Sequence, residues 1–171
     1  MNFKEALNHI KAFAFDVDGV FSSNFLVSHD GEFLREMNPK DGYAVRYAVE
    51  AGYPIAIITG GNSEAVKMRF KNIGVTDIYL NATDKLEDFK DFYMKYQLSA
   101  KEVMFMGDDI PDYQAMLACG MAVCPADAVT EIKSISKYIS DKKAGKGCVR
   151  DVIEQVLRTQ GKWHIAQLKS E

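Results

Sequence analysis

Phe13-Ala14-Phe15-Asp16-Val17-Asp18-Gly19-Val20 decides how this chain is read. The apolar run from Ala12 to Phe15 has the composition of a strand buried on both faces, as in a parallel sheet. It ends in two carboxylates one residue apart, followed by glycine. In open α/β sheets the ligand site lies beyond the carboxyl ends of the strands, so Asp16 and Asp18 are expected to project into a site and Gly19 to turn the chain away from it. The same pair could simply cap a loop. Two acids this close repel each other unless a cation neutralises them, and Mg²⁺, which prefers oxygen ligands, suits them.

Working outward, the chain alternates apolar runs with helical stripes. Phe3, Ala6, Leu7 and Ile10 form a short amphipathic helix before the first strand. Residues 21–37 then interrupt the strand-to-helix step. Phe25-Leu26-Val27 and Phe33-Leu34 flank Ser28-His29-Asp30-Gly31, whose Asp-Gly is a hairpin signal. Apolar side chains fall on both faces of that hairpin, so an intersubunit contact is its natural sink. A helix is expected to open at Asp41-Gly42 and end at Gly52. Strands follow at 54–58, 78–80, 103–106 and 121–123, with an edge segment at Tyr138-Ile139. Helices fall from about Ser63 to Gly74, after Lys85, after Pro111 with Met116 and Leu117 inward, near 128–135, and last with Val149, Val152, Ile153, Val156 and Leu157 on one stripe. The tail from Gly161 to Glu171 is expected to be mobile. This order predicts one α/β domain over 1–171, a Rossmann-like parallel sheet with helices on both faces.

Composition excludes several classes. The chain has 171 residues, of which 47% are hydrophobic and 26% charged, with a net charge of −3. That gives no electrostatic footprint for nucleic acid. No stretch approaches the ~20 apolar residues of a membrane span, and Lys4 and Glu5 argue against a secretory leader. Cys119, Cys124 and Cys148 lack C-x-x-C spacing and read as reduced thiols of a cytoplasmic protein. His9, His29 and His164 are scattered, which argues against zinc.

Four polar clusters stand at strand ends or just after them: Asp16-x-Asp18, Thr59-Gly60, Lys85 and Gly107-Asp108-Asp109. Each answers a need of phosphoryl transfer. A carboxylate can take a phosphoryl group as an aspartyl phosphate, and Asp16 stands at the strand tip. The leaving alcohol needs a proton and the later water must lose one, which Asp18 can supply and accept. Negative charge on the transferring group calls for a metal, a lysine and hydroxyl or backbone donors. Mg²⁺ would be held by Asp16, the Asp18 carbonyl and Asp108. Lys85 would clamp the phosphate, and the Thr59 hydroxyl and Gly60 N–H would bind its oxygens. Asp109 and Asp112 would stand behind, orienting metal-bound water and Lys85.

In this order the clusters resemble the haloacid dehalogenase superfamily of aspartate-dependent phosphatases, over about residues 11–125. Most members insert a cap domain, and the gaps here leave no room for one, so the resemblance is to a capless member. Lys40-Asp41-Gly42-Tyr43-Ala44-Val45-Arg46, Asp84-Lys85-Leu86, Gly107-Asp108-Asp109-Ile110-Pro111-Asp112, Gly145-Lys146-Gly147-Cys148-Val149-Arg150 and Gln160-Gly161-Lys162 are similar to the 3-deoxy-D-manno-octulosonate 8-phosphate (KDO 8-phosphate) phosphatases. That resemblance implies a sugar-acid phosphate as substrate, a place in lipopolysaccharide biosynthesis, and a homotetramer. The hairpins would pack together at its centre and help cover neighbouring active sites. It further implies substrate contacts from Gly60, Gly61, Asn62, Lys146 and Arg69, the last reaching a neighbour's site, and a role there for Trp163 and His164 in the tail. Two positions depart from the pattern. Arginine is common in that group at the place of Gly61, and glutamate in a sister group acting on 2-keto-3-deoxynononate (KDN) 9-phosphate; Gly61 offers neither charge. Lys146 stands where arginine is common, keeping the cation without its fork. KDN 9-phosphate or another sugar phosphate is therefore the alternative substrate. A phospho-receiver domain would put its phosphorylated aspartate on the third strand, which here ends in Asn81. A non-catalytic regulatory domain would leave the full set of motif residues without a purpose.

Overall fold

The computed structural model describes residues 2–164. Its elements run α1 (Phe3–Leu7), β1 (Ala12–Phe15), β2 (Phe25–Val27), β3 (Phe33–Arg35), α2 (Pro39–Glu50), β4 (Ile55–Ile58), α3 (Glu64–Asn72), β5 (Asp77–Tyr79), α4 (Lys85–Lys95), β6 (Val103–Met106), α5 (Tyr113–Ala118), β7 (Met121–Cys124), α6 (Thr130–Ile135), β8 (Tyr138–Ile139) and α7 (Cys148–Thr159). Six strands form one parallel sheet in the order β5-β4-β1-β6-β7-β8, and β2 and β3 pair separately as an antiparallel hairpin.

Period-two alternation sorts the strand side chains between two cores. Phe13, Phe15, Ile55, Ile57, Met104, Met106, Met121 and Val123 face one side, where α2, α3 and α7 cover them. Ala12, Ala14, Ala56, Ile58, Val103, Phe105, Ala122 and Cys124 face the other, under α4, α5 and α6. Continuous apolar runs are therefore required on the central strands, since neither face meets water. The chain leaves β1 toward β4 and β5, then returns past it to β6. The reversal of strand order falls beside β1, which places a site at the tip of that strand.

Helix α2 begins at Pro39, with Asn38 as its N-cap accepting from the Lys40 N–H at 2.9 Å, two residues before the expected Asp41 start. Proline at the first helical position loses no hydrogen bond, which the Asp-Gly signal masked. Asp41 has another task. Fully buried, it accepts the Arg150 N–H at 2.8 Å and so caps the first turn of α7 from across the helix pair. Pro111 falls inside a 3₁₀ turn, Ile110–Asp112, that precedes α5. That shifts the helical phase, so Met116 is buried as expected while Leu117 is 49% exposed.

The tail begins packed rather than mobile. Trp163 lies against Tyr47 with ring centroids 4.6 Å apart, Arg150 lies 5.0 Å over its ring, and Tyr47 Oη donates to the Lys162 carbonyl at 3.0 Å. His164 N–H donates to the same hydroxyl at 3.1 Å. An aromatic ring and two polar anchors hold this stretch to its own α2 and α7. The rest of the expected mobile tail, 165–171, lies outside the described residues.

The hairpin keeps the two-faced apolar character read from its sequence. Phe25, Leu26, Val27, Phe33 and Leu34 are all exposed. The three cysteines are free and buried, and among the described residues no helix is long and apolar enough to cross a membrane.

Candidate active site

Asp16 continues the β1 ladder by donating its N–H to the Met106 carbonyl at 3.0 Å. Its carboxylate accepts the Val17 N–H at 2.7 Å and lies 2.9 Å from Lys85 Nζ. Lys85 is the first residue of α4. Asp84 starts that helix by accepting the Leu86 N–H at 3.1 Å and the Glu87 N–H at 3.3 Å, which fixes where the lysine leaves the backbone. Its ammonium also reaches Asp112 Oδ1 at 2.8 Å. Asp112, wholly buried, turns Oδ2 to the Asp108 N–H at 3.0 Å and the Asp109 N–H at 3.4 Å. Both oxygens of Asp112 are thus engaged in holding Lys85 and the Gly107–Asp109 turn.

Burial first, then the neighbouring Asp112, pushes the Asp16 carboxyl well above the usual carboxylate range, against the pull of Lys85. Burial alone would lower the Lys85 pKa, but Asp16 and Asp112 outweigh it and hold the ammonium charged. Asp108 is pushed up to about 7 by burial, and after that by Asp112 and Asp109. Acids stacked this closely are short of positive charge. Carboxylate oxygens of Asp16, Asp108 and Asp112 lie within 4.8 Å of one another, a spacing that suits one divalent cation. Since Asp112 is occupied by its three donors, Asp16 and Asp108 are the acids with oxygens to give.

Two glycines make that approach possible. Gly19 has φ +87°, and a β-carbon there would overlap the Asp108 carboxylate. At Gly107 a β-carbon would overlap the Asp112 side chain. Gly19→Ala therefore combines left-handed strain with loss of room for Asp108. Its expected result is a protein destabilised by about 1–3 kcal/mol and inactive. Urea unfolding beside an activity assay checks it, and a fully active Gly19→Ala would show that Asp108 does not need this approach.

Thr59 follows β4. Its N–H donates to the Tyr79 carbonyl at 3.0 Å and its buried Oγ1 accepts the Gly61 N–H at 3.2 Å. The Ala82 N–H to the Thr59 carbonyl and the Asn81 N–H to the Gly61 carbonyl, each 3.0 Å, strap this turn to the loop after β5. Asn62 lies exposed beyond it.

Other expected site residues have side-chain partners of their own. Asp109 is exposed and caps the 3₁₀ turn by accepting the Ile110 N–H at 2.7 Å, instead of turning to Lys85. Lys146 lies 3.9 Å from Glu36 in an exposed pair. Arg69 crosses Gly42, whose missing side chain makes room for the guanidinium.

Sequence reasoning missed Arg35. From the end of β3 it takes Asp18 in a fork, with Nε to Oδ1 at 2.6 Å and Nη2 to Oδ2 at 3.0 Å. Ser22 Oγ adds a donor to Oδ1 at 3.3 Å. A usable signal was that Arg35 is the one charged residue in two strands otherwise made of Phe, Leu and Val.

A buried carboxylate at a strand tip, with a lysine locked against it and further acids gathered for a cation, can attack a centre that arrives already negative. The fold and this site together are those of a hydrolase. The profile of the haloacid dehalogenase-like hydrolases matches residues 20–120, and the chain belongs to that family. The 3-deoxy-D-manno-octulosonate 8-phosphate phosphatase KdsC of Escherichia coli (strain K12) is 34% identical to it over 155 residues, covering 90% of this chain and 82% of that protein. The crystal structure of the enzyme of that name from Yersinia pestis superposes with a TM-score of 0.90 at 31% identity, over 93% of this chain and 86% of the other. That from Moraxella catarrhalis, in complex with a magnesium ion, a phosphate ion and a KDO molecule, gives 0.88 at 30% identity, over 92% of this chain and 91% of the other.

Proposed function

We propose that this chain is a Mg²⁺-dependent phosphatase that hydrolyses KDO 8-phosphate to KDO and phosphate. The observation that carries the reading is the buried Asp16–Lys85–Asp112 chain at the tip of β1, in a fold shared with enzymes of that name. An Asp16 oxygen attacks phosphorus, and the bond to the sugar oxygen breaks. That oxygen takes a proton from Asp18. Water then attacks the aspartyl phosphate, its proton passes to Asp18, and the bond to Asp16 breaks, freeing phosphate. Lys85 holds the Asp16 charge, while the Thr59 hydroxyl and the Gly60 N–H receive phosphate oxygens. Asp16, Asp108 and the Asp18 carbonyl would hold Mg²⁺, whose charge offsets that of the transferring group.

Mg²⁺ also bears on stability. With its pKa raised to about 7, Asp108 keeps a proton in the metal-free fold that the unfolded chain has released. Its contribution is therefore favourable at low pH and is lost as pH rises toward 7. A cation at this site reverses that loss. Chelation is expected to lower the melting temperature more at pH 8 than at pH 5.5, as scanning calorimetry with and without EDTA would measure. An equal effect at both values would mean that Asp108 is not a ligand.

The two-faced hairpin supports a homotetramer in which hairpins pack together and a neighbour supplies Arg69 to each site. Light scattering tests this, and a monomer would overturn it. Buried free cysteines support a reducing, cytoplasmic setting. Phosphate release from KDO 8-phosphate, KDN 9-phosphate and hexose phosphates tests the substrate. Preference for the nine-carbon acid would keep the mechanism and change the substrate; silence on all of them would overturn the reading.

A further inference from the structure

The fork between Arg35 and Asp18 has an asymmetry that assigns work to single atoms. A carboxylate offers about four lone-pair sites, two on each oxygen. On Asp18, Oδ1 accepts from both Arg35 Nε at 2.6 Å and Ser22 Oγ at 3.3 Å, while Oδ2 accepts from Arg35 Nη2 at 3.0 Å. Oδ1 is saturated and Oδ2 keeps one site. Oδ2 is also the oxygen beside the Thr59–Gly61 turn. A β-carbon on Gly61 would stand 3.8 Å from it, 3.5 Å from Thr59 Oγ1 and 3.4 Å from Arg35 Nη2. The guanidinium is itself fixed. Its side chain is only 8% exposed, its Nη1 donates to the Phe33 carbonyl at 3.2 Å, and it lies 5.7 Å over the Phe25 ring.

We propose that Arg35 is a positioning residue of the reaction: from the hairpin it locks the Asp18 carboxyl and presents Oδ2 as the one oxygen that exchanges a proton with the leaving group and the attacking water. The proton balance is that of the mechanism above, with Oδ2 named as the atom that gives and takes. The fork matters because a planar guanidinium fixes both oxygens at once, which an ammonium cannot do. Gly61 borders the fork, and a β-carbon there would stand in ordinary van der Waals contact with it.

This inference rests on the reading of Asp18 as acid and base, and its test separates the two. A sugar alkoxide needs a proton to leave and p-nitrophenolate does not. Removing Asp18 or its aim should therefore cost kcat/KM on KDO 8-phosphate far more than on p-nitrophenyl phosphate. For Arg35→Met the expected loss on KDO 8-phosphate is about a hundredfold, with a loss roughly tenfold smaller on the aryl ester. The inhibition constant of free KDO should move by no more than about twofold. Arg35→Lys should recover part of the loss, and the Asp18→Asn/Arg35→Met double variant should be no slower than Asp18→Asn alone.

Three results would overturn the assignment. A KDO inhibition constant rising in step with the lost activity would make Arg35 a substrate contact. Equal losses on both esters would make it a support of the hairpin. Losses that multiply in the double variant would make it independent of Asp18. A wild-type protein silent on KDO 8-phosphate but active on another alkyl phosphate ends the substrate reading only, since the same comparison then runs on that ester. Silence on every monoester ends both.

Discussion

Asp16→Asn is expected to fold, melt close to the parent protein, and lose turnover by about a thousandfold or more. The amide is nearly isosteric with the carboxylate but is no nucleophile, so the phosphoryl group has nowhere to go. Stability should survive because the ionised carboxylate is costly where it stands: burial and Asp112 hold its pKa well above the usual range. Neutralising it relieves that cost, and Lys85 keeps Asp112 at 2.8 Å as its partner. Phosphate release and a melting curve in chelator check both halves. Substantial remaining activity would exclude Asp16 as the attacking group.

Lys85→Met is expected to do damage of both kinds. The ammonium sits between two buried carboxylates, 2.9 Å from Asp16 and 2.8 Å from Asp112. Methionine fills similar space and removes the charge, leaving two acids facing each other without it. Breaking a buried pair in this way costs about 3–5 kcal/mol, which for a chain of this size is a fall in melting temperature of roughly 10 °C. Activity should fall about a hundredfold or more, since the charge on the phosphate loses its fixed partner. Adding Mg²⁺ should recover part of the stability and little of the rate. A melting temperature unchanged in chelator would show that the two acids do not need the lysine.

What the sequence revealed and what it hid divide along the range of the interactions. Alternation of Phe and Ala in β1, and the glycine after each of several helices, are local signals, and they placed the sheet and the strand-end acids. The hairpin's unsheltered faces were legible in the same way, because Phe25 to Leu34 carry the pattern within ten residues. Arg35 was hidden because its partner Asp18 lies on a different element, and nothing in the spacing joins a hairpin strand to the turn after β1. Asp41 was misread because Asp-Gly near a helix start looks like a cap, whereas its carboxylate caps α7, a helix that begins more than a hundred residues later. Leu117 was misplaced by a single 3₁₀ turn, which rotates everything after it. Trp163 found its place through Tyr47, Arg150 and Arg158, contacts that no reading of the tail alone contains.

The position of β1 in the sheet has a consequence for how the molecule is made. It is the first of the sheet's strands in chain order, yet its two neighbours are β4 and β6, so one edge waits for Ile55 and the other for Val103. Until both arrive, Ala-Phe-Ala-Phe offers open backbone and aromatic rings to whatever is near. Parallel pairings between such distant segments form slowly, because the intervening loops must close first. A chain whose synthesis stalls before β6 leaves that edge bare, and such a fragment is the form most prone to clump. The strand that carries Asp16 is thus the first of the sheet to be synthesised, and its second edge stays open until Val103–Met106 arrives.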